Sequence, residues 1–233
     1  MTTSGSTNFA LVTNTIVEEA ASLAGITSEG EPVSAYIYTQ GLRSLNMIAK
    51  AWSASGHLWI KTEASVTLVA SQANYALATL FGKKPSRVLS VRRKVTSGGV
   101  ETPLLELARE QYFEQPNKTT ASIPTSFYYD PQLATGTLYL WPTASTATAA
   151  AMTLNVTYLR PIEDFDNSTD DPDLPPEWTL ALSYTLAEQL ALKFGRPPEL
   201  RREIADRAGV YKAMIESWDT EPASLYLQPA GWG

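Results

Sequence analysis

The sequence predicts an α+β fold, mainly α: a bundle of N- and C-terminal helices with a small antiparallel β domain inserted. Three observations predict it. Residues 32–54 (PVSAYIYTQGLRSLNMIAKAWSA) set apolar side chains at helical spacing. Between residues 61 and 160 the period changes to two, with turn residues separating the runs. From residue 175 onward, three- and four-residue spacings return. The expected organisation is N-terminal bundle helices at 1–60, an inserted β domain at 61–160, C-terminal bundle helices at 161–218 and an extended tail at 219–233.

The elements follow in order. Residues 1–7 carry little to bury and read as a frayed tail. Thr7 or Asn8 can cap a helix over 9–23, with Gly25 as its stop. The next helix forms a stripe of Ile37, Gly41, Leu45, Ile48 and Trp52. Thr39, Arg43, Asn46, Lys50 and Ser53 lie on the opposite side. Pro32 suits the first turn, and Ser55-Gly56 ends the helix. At about 22 residues it is roughly 33 Å long.

Val66, Leu68 and Ala70 then alternate with polar positions as a strand does. The alternation at 72–80 is ambiguous, and 87–93 is a second strand with a Ser97-Gly98-Gly99 hairpin turn after it. Arg109 to Phe113 suits a short helix. Residues 125–130 and 137–141 form a hairpin, and 142–150 is a loop of small residues. Met152, Leu154, Val156 and Tyr158 make the clearest strand. Pro175-Pro176 opens a helix to about residue 194. Another helix follows to about residue 218, with the stripe Leu200, Ile204, Ala208 or Tyr211, Ile215 and Trp218. In the tail, Leu225, Tyr226 and Leu227 alternate like a strand without a sheet of its own.

Composition narrows the function. Of 233 residues, 44% are hydrophobic and 18% charged, enough for a core. No apolar run approaches the roughly 18 residues of a membrane span. The start, MTTSGSTNFALV, lacks the basic and apolar regions of a signal peptide, so no leader is expected. There are no cysteines, which excludes disulfides and thiolate metal sites. A net charge of −6 disfavours a protein that wraps DNA, but suits one that DNA passes without sticking.

No motif carries enzymatic chemistry. His57 is the only histidine, and beside Leu58 and Trp59 it reads as structural. No GxSxG, GxxxxGK[ST], GxGxxG or HExxH is present. Asp164, Asp166, Ser168 and Asp170 alternate like the start of a calcium loop. The pattern then fails, with Thr169 where Gly is needed and Pro175 where a bidentate Glu is needed. A solvated, helix-capping loop is the plainer reading. A carboxylate pair such as Asp166 and Asp170 has the residue types that glycoside hydrolysis uses, but a flexible acidic loop is a poor preorganised site for it. No cofactor and no metal are expected.

Two charge blocks remain. Lys83, Lys84, Arg87, Arg92, Arg93 and Lys94 carry six positive charges with no acid between them. Asp164, Asp166, Asp170 and Asp171 belong to an acidic stretch. The basic block is a solvated strand face, a patch for nucleic-acid phosphate, or a partner for the acidic loop of a neighbouring subunit. The last reading suits a ring of head-to-tail contacts, which needs two complementary patches per subunit. The polar stripe of the long helix, Arg43, Asn46 and Lys50 with Ser53, is a further candidate for subunit contact.

The ordered segments LRSLNMIAKAW with GHLW, IPTSFYYDP with GTLYLWP, LNVTYLRPIEDFDN, and LPPEWTLALSYTLAEQLALKFG carry a resemblance. They resemble the tail accessory factors of short-tailed phages, the head-to-tail adaptor family typified by the gene 4 product of lambdoid podoviruses. The resemblance implies a structural connector in the neck or tail of the virion, assembled in the host bacterial cytoplasm. Its copies would form a ring, twelve-fold, beneath the portal protein. The ring would extend the DNA channel without reading DNA sequence and carry the downstream nozzle, needle or fibre proteins. The resemblance also implies a tail that docks on the portal, here Leu225, Tyr226, Leu227 and Trp232, and it makes the polar stripe Arg43, Asn46, Lys50 and Ser53 a candidate for subunit or portal contact. The alternative is a tail-associated peptidoglycan hydrolase, an activity said of some members and placed on no residue here.

Overall fold

A computed structural model describes residues 5, 9–28 and 30–219. The expected Thr7 or Asn8 cap and the portal-docking tail lie outside the described residues. In chain order the helices are α1 (Thr13–Leu23), α2 (Ala35–Ser53), α3 (Leu77–Phe81), α4 (Arg109–Phe113), α5 (Thr146–Ala151), α6 (Thr179–Lys193) and α7 (Pro198–Glu216). The strands are β1 (Lys61–Thr67), β2 (Asn74–Ala76), β3 (Arg87–Val95), β4 (Glu101–Pro103) and β5 (Leu105–Glu106). They continue with β6 (Ala121–Ser122), β7 (Ser126–Asp130), β8 (Thr137–Trp141), β9 (Thr143–Ala144) and β10 (Met152–Leu159). The fold is α+β, as the sequence predicts. No helix among the described residues is long and apolar enough to cross a membrane.

The chain divides into two compact units, residues 1–45 with 165–233, and residues 46–164. The first is helical. Its core is built on α6, where Ala181, Leu182, Leu186, Ala187, Leu190 and Ala191 are all fully buried. These positions sit three and four apart, so they form one stripe. Each fully buried leucine contributes about 1.5–3 kcal/mol. Ile16, Val17 and Ala20 of α1 and Ile204 and Ala208 of α7 complete this core, α6 packing against both helices. Gly41 lets α2 approach α1, since a β-carbon there would lie 2.7 Å from Val17 Cγ1.

α1 begins at Thr13, four residues later than the sequence predicts. Its N-cap residue, Val12, offers no side-chain cap. The open N–H groups are met instead by a remote loop. Thr13 N–H donates to the Asp170 carbonyl at 3.0 Å and Asn14 N–H to the Ser168 carbonyl at 2.9 Å. The Thr13 hydroxyl also donates to Asp170 O at 2.8 Å. Carbonyl oxygens do here what a capping side chain does elsewhere.

α2 starts at Ala35 rather than near Pro32, with the Ser34 hydroxyl accepting from Ile37 N–H at 3.4 Å. Its apolar stripe is buried as predicted at Gly41, Leu45, Ile48 and Trp52. Ser53 departs from the predicted polar face and is buried. Its hydroxyl donates to Ala49 O at 2.9 Å and accepts from Ile162 N–H at 3.0 Å, which satisfies it. α7 buries Ile204 and Ala208 of its predicted stripe. Trp218 lies in the turn beyond the helix and is 87% exposed.

The second unit holds the β structure. One sheet has the order β1-β10-β3-β4, all antiparallel, and the other β2-β8-β7-β5. β5 joins the second sheet in parallel with β7, and β6 pairs with β9, also in parallel. β10 lies inside its sheet, paired on both edges. Its alternation therefore has two readers. Leu154, Val156 and Tyr158 enter a core shared with Val66, Val91, Phe127, Leu138 and Leu140. Asn155 points to the other face. A smaller cluster forms where Tyr112 of α4 stacks on Tyr128 at 5.8 Å and tilts against Tyr139 at 5.2 Å. The predicted small-residue loop at 142–150 contains a helix, α5, because the Ser145 hydroxyl accepts from Thr148 N–H at 3.2 Å and caps it.

Candidate assembly surfaces

The strand pairing gathers part of the basic block into one network. Arg92 lies across from Asn155, which lies across from Ser65. The Arg92 guanidinium pairs with Glu63, and its Nε lies 3.3 Å from Glu101 Oε2. The Asn155 amide donates to Glu101 Oε1 at 2.8 Å and accepts from the Ser65 hydroxyl at 2.9 Å. Lys94 adds a longer pair to Glu101 at 3.8 Å. The network thus links β1, β10, β3 and β4 across their outer face. Glu63, Glu101 and Asn155 are absent from the sequence-predicted set, because their pairing depends on strand register. The period-two alternation was the only local signal that could place them together.

The rest of the basic block is divided. Lys83 pairs with Glu163, and Lys50 of α2 pairs with Asp164. Arg93 donates to Pro124 O at 3.0 Å. Lys84 is half-buried, with Nζ 3.5 Å from Pro131 O. Arg87 is exposed and has neither ion pair nor side-chain hydrogen bond among the described residues. It borders a cleft of about 490 Å³ lined also by Lys50, Ser55, Ser86 and Leu159.

The acidic stretch is built as a capping loop. Asp170 Oδ2 accepts from Asn167 N–H at 2.7 Å and Asp166 N–H at 3.0 Å. The Asn167 N–H, then the Asp166 N–H and the Asn167 amide, hold the Asp170 carboxyl below the ordinary carboxylate range. Burial, and then the Asp170 charge, push the Tyr38 hydroxyl up. Asp166 and Asp171 are exposed, and their carboxylates have no partner among the described residues. No group of three or more His, Asp or Glu side chains among the described residues is placed to hold a metal.

On α2, Arg43 is exposed without an ion-pair partner among the described residues, and Asn46 is half-buried. Arg43 stands near Lys193, whose ammonium donates to the Ser44 hydroxyl at 2.7 Å. Burial, and then the Arg43 charge, push the Lys193 ammonium down. His57 is buried and stacked on Trp59, with centroids 5.9 Å apart, which fits a structural role.

Residues 14–223 match the SU10 adaptor protein family, nearly the whole chain. The chain belongs to the SU10 adaptor protein family. It is therefore a phage head-to-tail adaptor by family and a structural protein. Among solved structures it is similar to a chain in the neck of an empty GTA particle computed with C6 symmetry. That likeness has 16% identity and a TM-score of 0.30, over 78% of this chain and 81% of that one. No curated protein matches it.

Proposed function

We propose that this adaptor works in the virion neck of a short-tailed phage, as a ring of copies beneath the portal protein. In this reading the ring has twelve copies. It extends the DNA channel, carries the downstream nozzle, needle or fibre proteins, and lets DNA pass without sequence-specific contact. Residues 1–60 and 161–218 supply the bundle, 61–160 the inserted β domain, and 219–233 the tail that grips the portal through Leu225, Tyr226, Leu227 and Trp232. Assembly takes place in the host bacterial cytoplasm. The observation that carries this reading is the family match over residues 14–223.

In the alternative reading, a tail-associated peptidoglycan hydrolase, Asp170 does not suit the role of general acid. A glycosidase general acid needs a raised pKa. Asp170 is shifted the other way, and its carboxylate is engaged by loop N–H groups.

The test mixes the full-length protein with the portal protein of its phage and counts bound copies by native mass spectrometry. A complex with twelve adaptor copies on one portal ring is expected. A portal whose mass does not change in the presence of the adaptor overturns the proposal.

A further inference from the structure

Part of each charge block is satisfied within the chain. Lys50, Lys83, Arg92 and Lys94 are matched by Asp164, Glu163, Glu63 and Glu101. Asp170 is spent on its own loop. Within the basic block, Arg87 has neither an ion pair nor a side-chain hydrogen bond among the described residues, and it lies on the rim of a concave cleft. Ser55 and Ser86, residues whose hydroxyls can donate hydrogen bonds, line that cleft with it. Within the acidic stretch, Asp166 and Asp171 are exposed and their carboxylates have no partner among the described residues. Arg43 also has no ion-pair partner among the described residues, but it stands near another cation, Lys193.

We infer that the Arg87 cleft of one copy receives Asp166 and Asp171 of the next copy. The inference rests on the ring reading above and names its contact. The two patches differ and carry opposite charge, as complementary halves of a head-to-tail contact do. A guanidinium binds a carboxylate through two parallel N–H groups, and the cleft hydroxyls offer further donors. The Lys50–Asp164 pair beside the cleft is neutral overall, so it neither competes for the incoming acid nor repels it. Because the contact is electrostatic, salt should weaken it.

The full-length adaptor and the portal protein of its phage provide the test. Native mass spectrometry gives the number of copies bound and the apparent Kd at low salt. Arg87→Glu should raise the apparent Kd for adaptor copies at least about tenfold, since it sets like charges face to face. Asp166→Arg with Asp171→Arg should do the same. Combining all three changes in one chain reverses both patches in every copy, and should recover wild-type copy number and affinity. Thermal unfolding checks that each variant folds. If Arg87→Glu does not fold, the variant with both loop aspartates replaced carries the first arm, because those side chains have no partner among the described residues. Wild-type copy number and affinity in either reversed variant overturns the inference, as does a triple variant no better than its parents. In those outcomes the ring itself stands. A wild-type protein that adds no copies to the portal overturns the ring reading and this contact together.

Discussion

Gly41 of α2 faces Val17 of α1 so closely that a β-carbon on Gly41 would lie 2.7 Å from Val17 Cγ1 and 3.1 Å from Cγ2. Val17 is fully buried, and its β-branched side chain is stiff, so neither methyl can swing away. Gly41→Ala should therefore destabilise the protein. Overpacking costs about 1–3 kcal/mol, against about 1 kcal/mol regained in helix propensity. Urea unfolding of Gly41→Ala, Val17→Ala and the double variant should show a favourable coupling of about 0.5–3 kcal/mol. Additive effects would mean that the two helices do not meet there.

Asn155 is 4% exposed and bridges Ser65 to Glu101 across three strands. Asn155→Ala leaves both partners without it, and the stability loss should be about 1–3 kcal/mol. The midpoint of chemical unfolding should fall while the slope stays constant. An unchanged midpoint would mean that water replaces the amide at no cost.

Asp170 gives the protein an acid-sensitive element. Its folded pKa lies below the unfolded value of 3.8. The carboxylate contribution is thus in place above that unfolded value and is lost as pH falls through the folded one. Asp170→Asn mimics the protonated form. The melting temperature of wild type should exceed that of the variant at pH 7, and the gap should close as the solution is acidified through the carboxyl range. A gap that persists at the acid end would show that the charge is not its source.

The tail prediction concerns partner binding. Removing residues 219–233 should leave the circular dichroism spectrum and cooperative unfolding unchanged while abolishing cosedimentation with the portal. Cosedimentation equal to wild type would place the portal contact elsewhere.

Much of the fold was legible because its elements carry their own period. Leu154, Val156 and Tyr158 alternate along a strand paired on both sides, and Leu182, Leu186 and Leu190 repeat on a buried helix. The misses share a different cause. α1 starts where carbonyls from Ser168 and Asp170 reach it, and Ser53 is buried because Ile162 donates to it. Neither partner is near in sequence, so no local pattern announces it. α5 is short, made of small residues, and held by one serine cap, so composition alone reads it as loop. The charged candidates behaved similarly. The sequence marked Lys83 and Arg92 as cations in one block. Only the paired strands and the folded loop show that Glu163 and Glu63 have already claimed them.

The capping of α1 also fixes an order of events at the ribosome. Thr13 and the Asp170 carbonyl that receives its N–H are 157 positions apart. At about 5–20 residues per second, roughly 8–30 s of synthesis separates them. The unit spanning residues 46–164 is contiguous and is fully synthesised first. The helical unit, made from 1–45 and 165–233, must hold its opening segment in waiting until the segment from residue 165 onward emerges. Translation thus completes the β unit before the bundle can close.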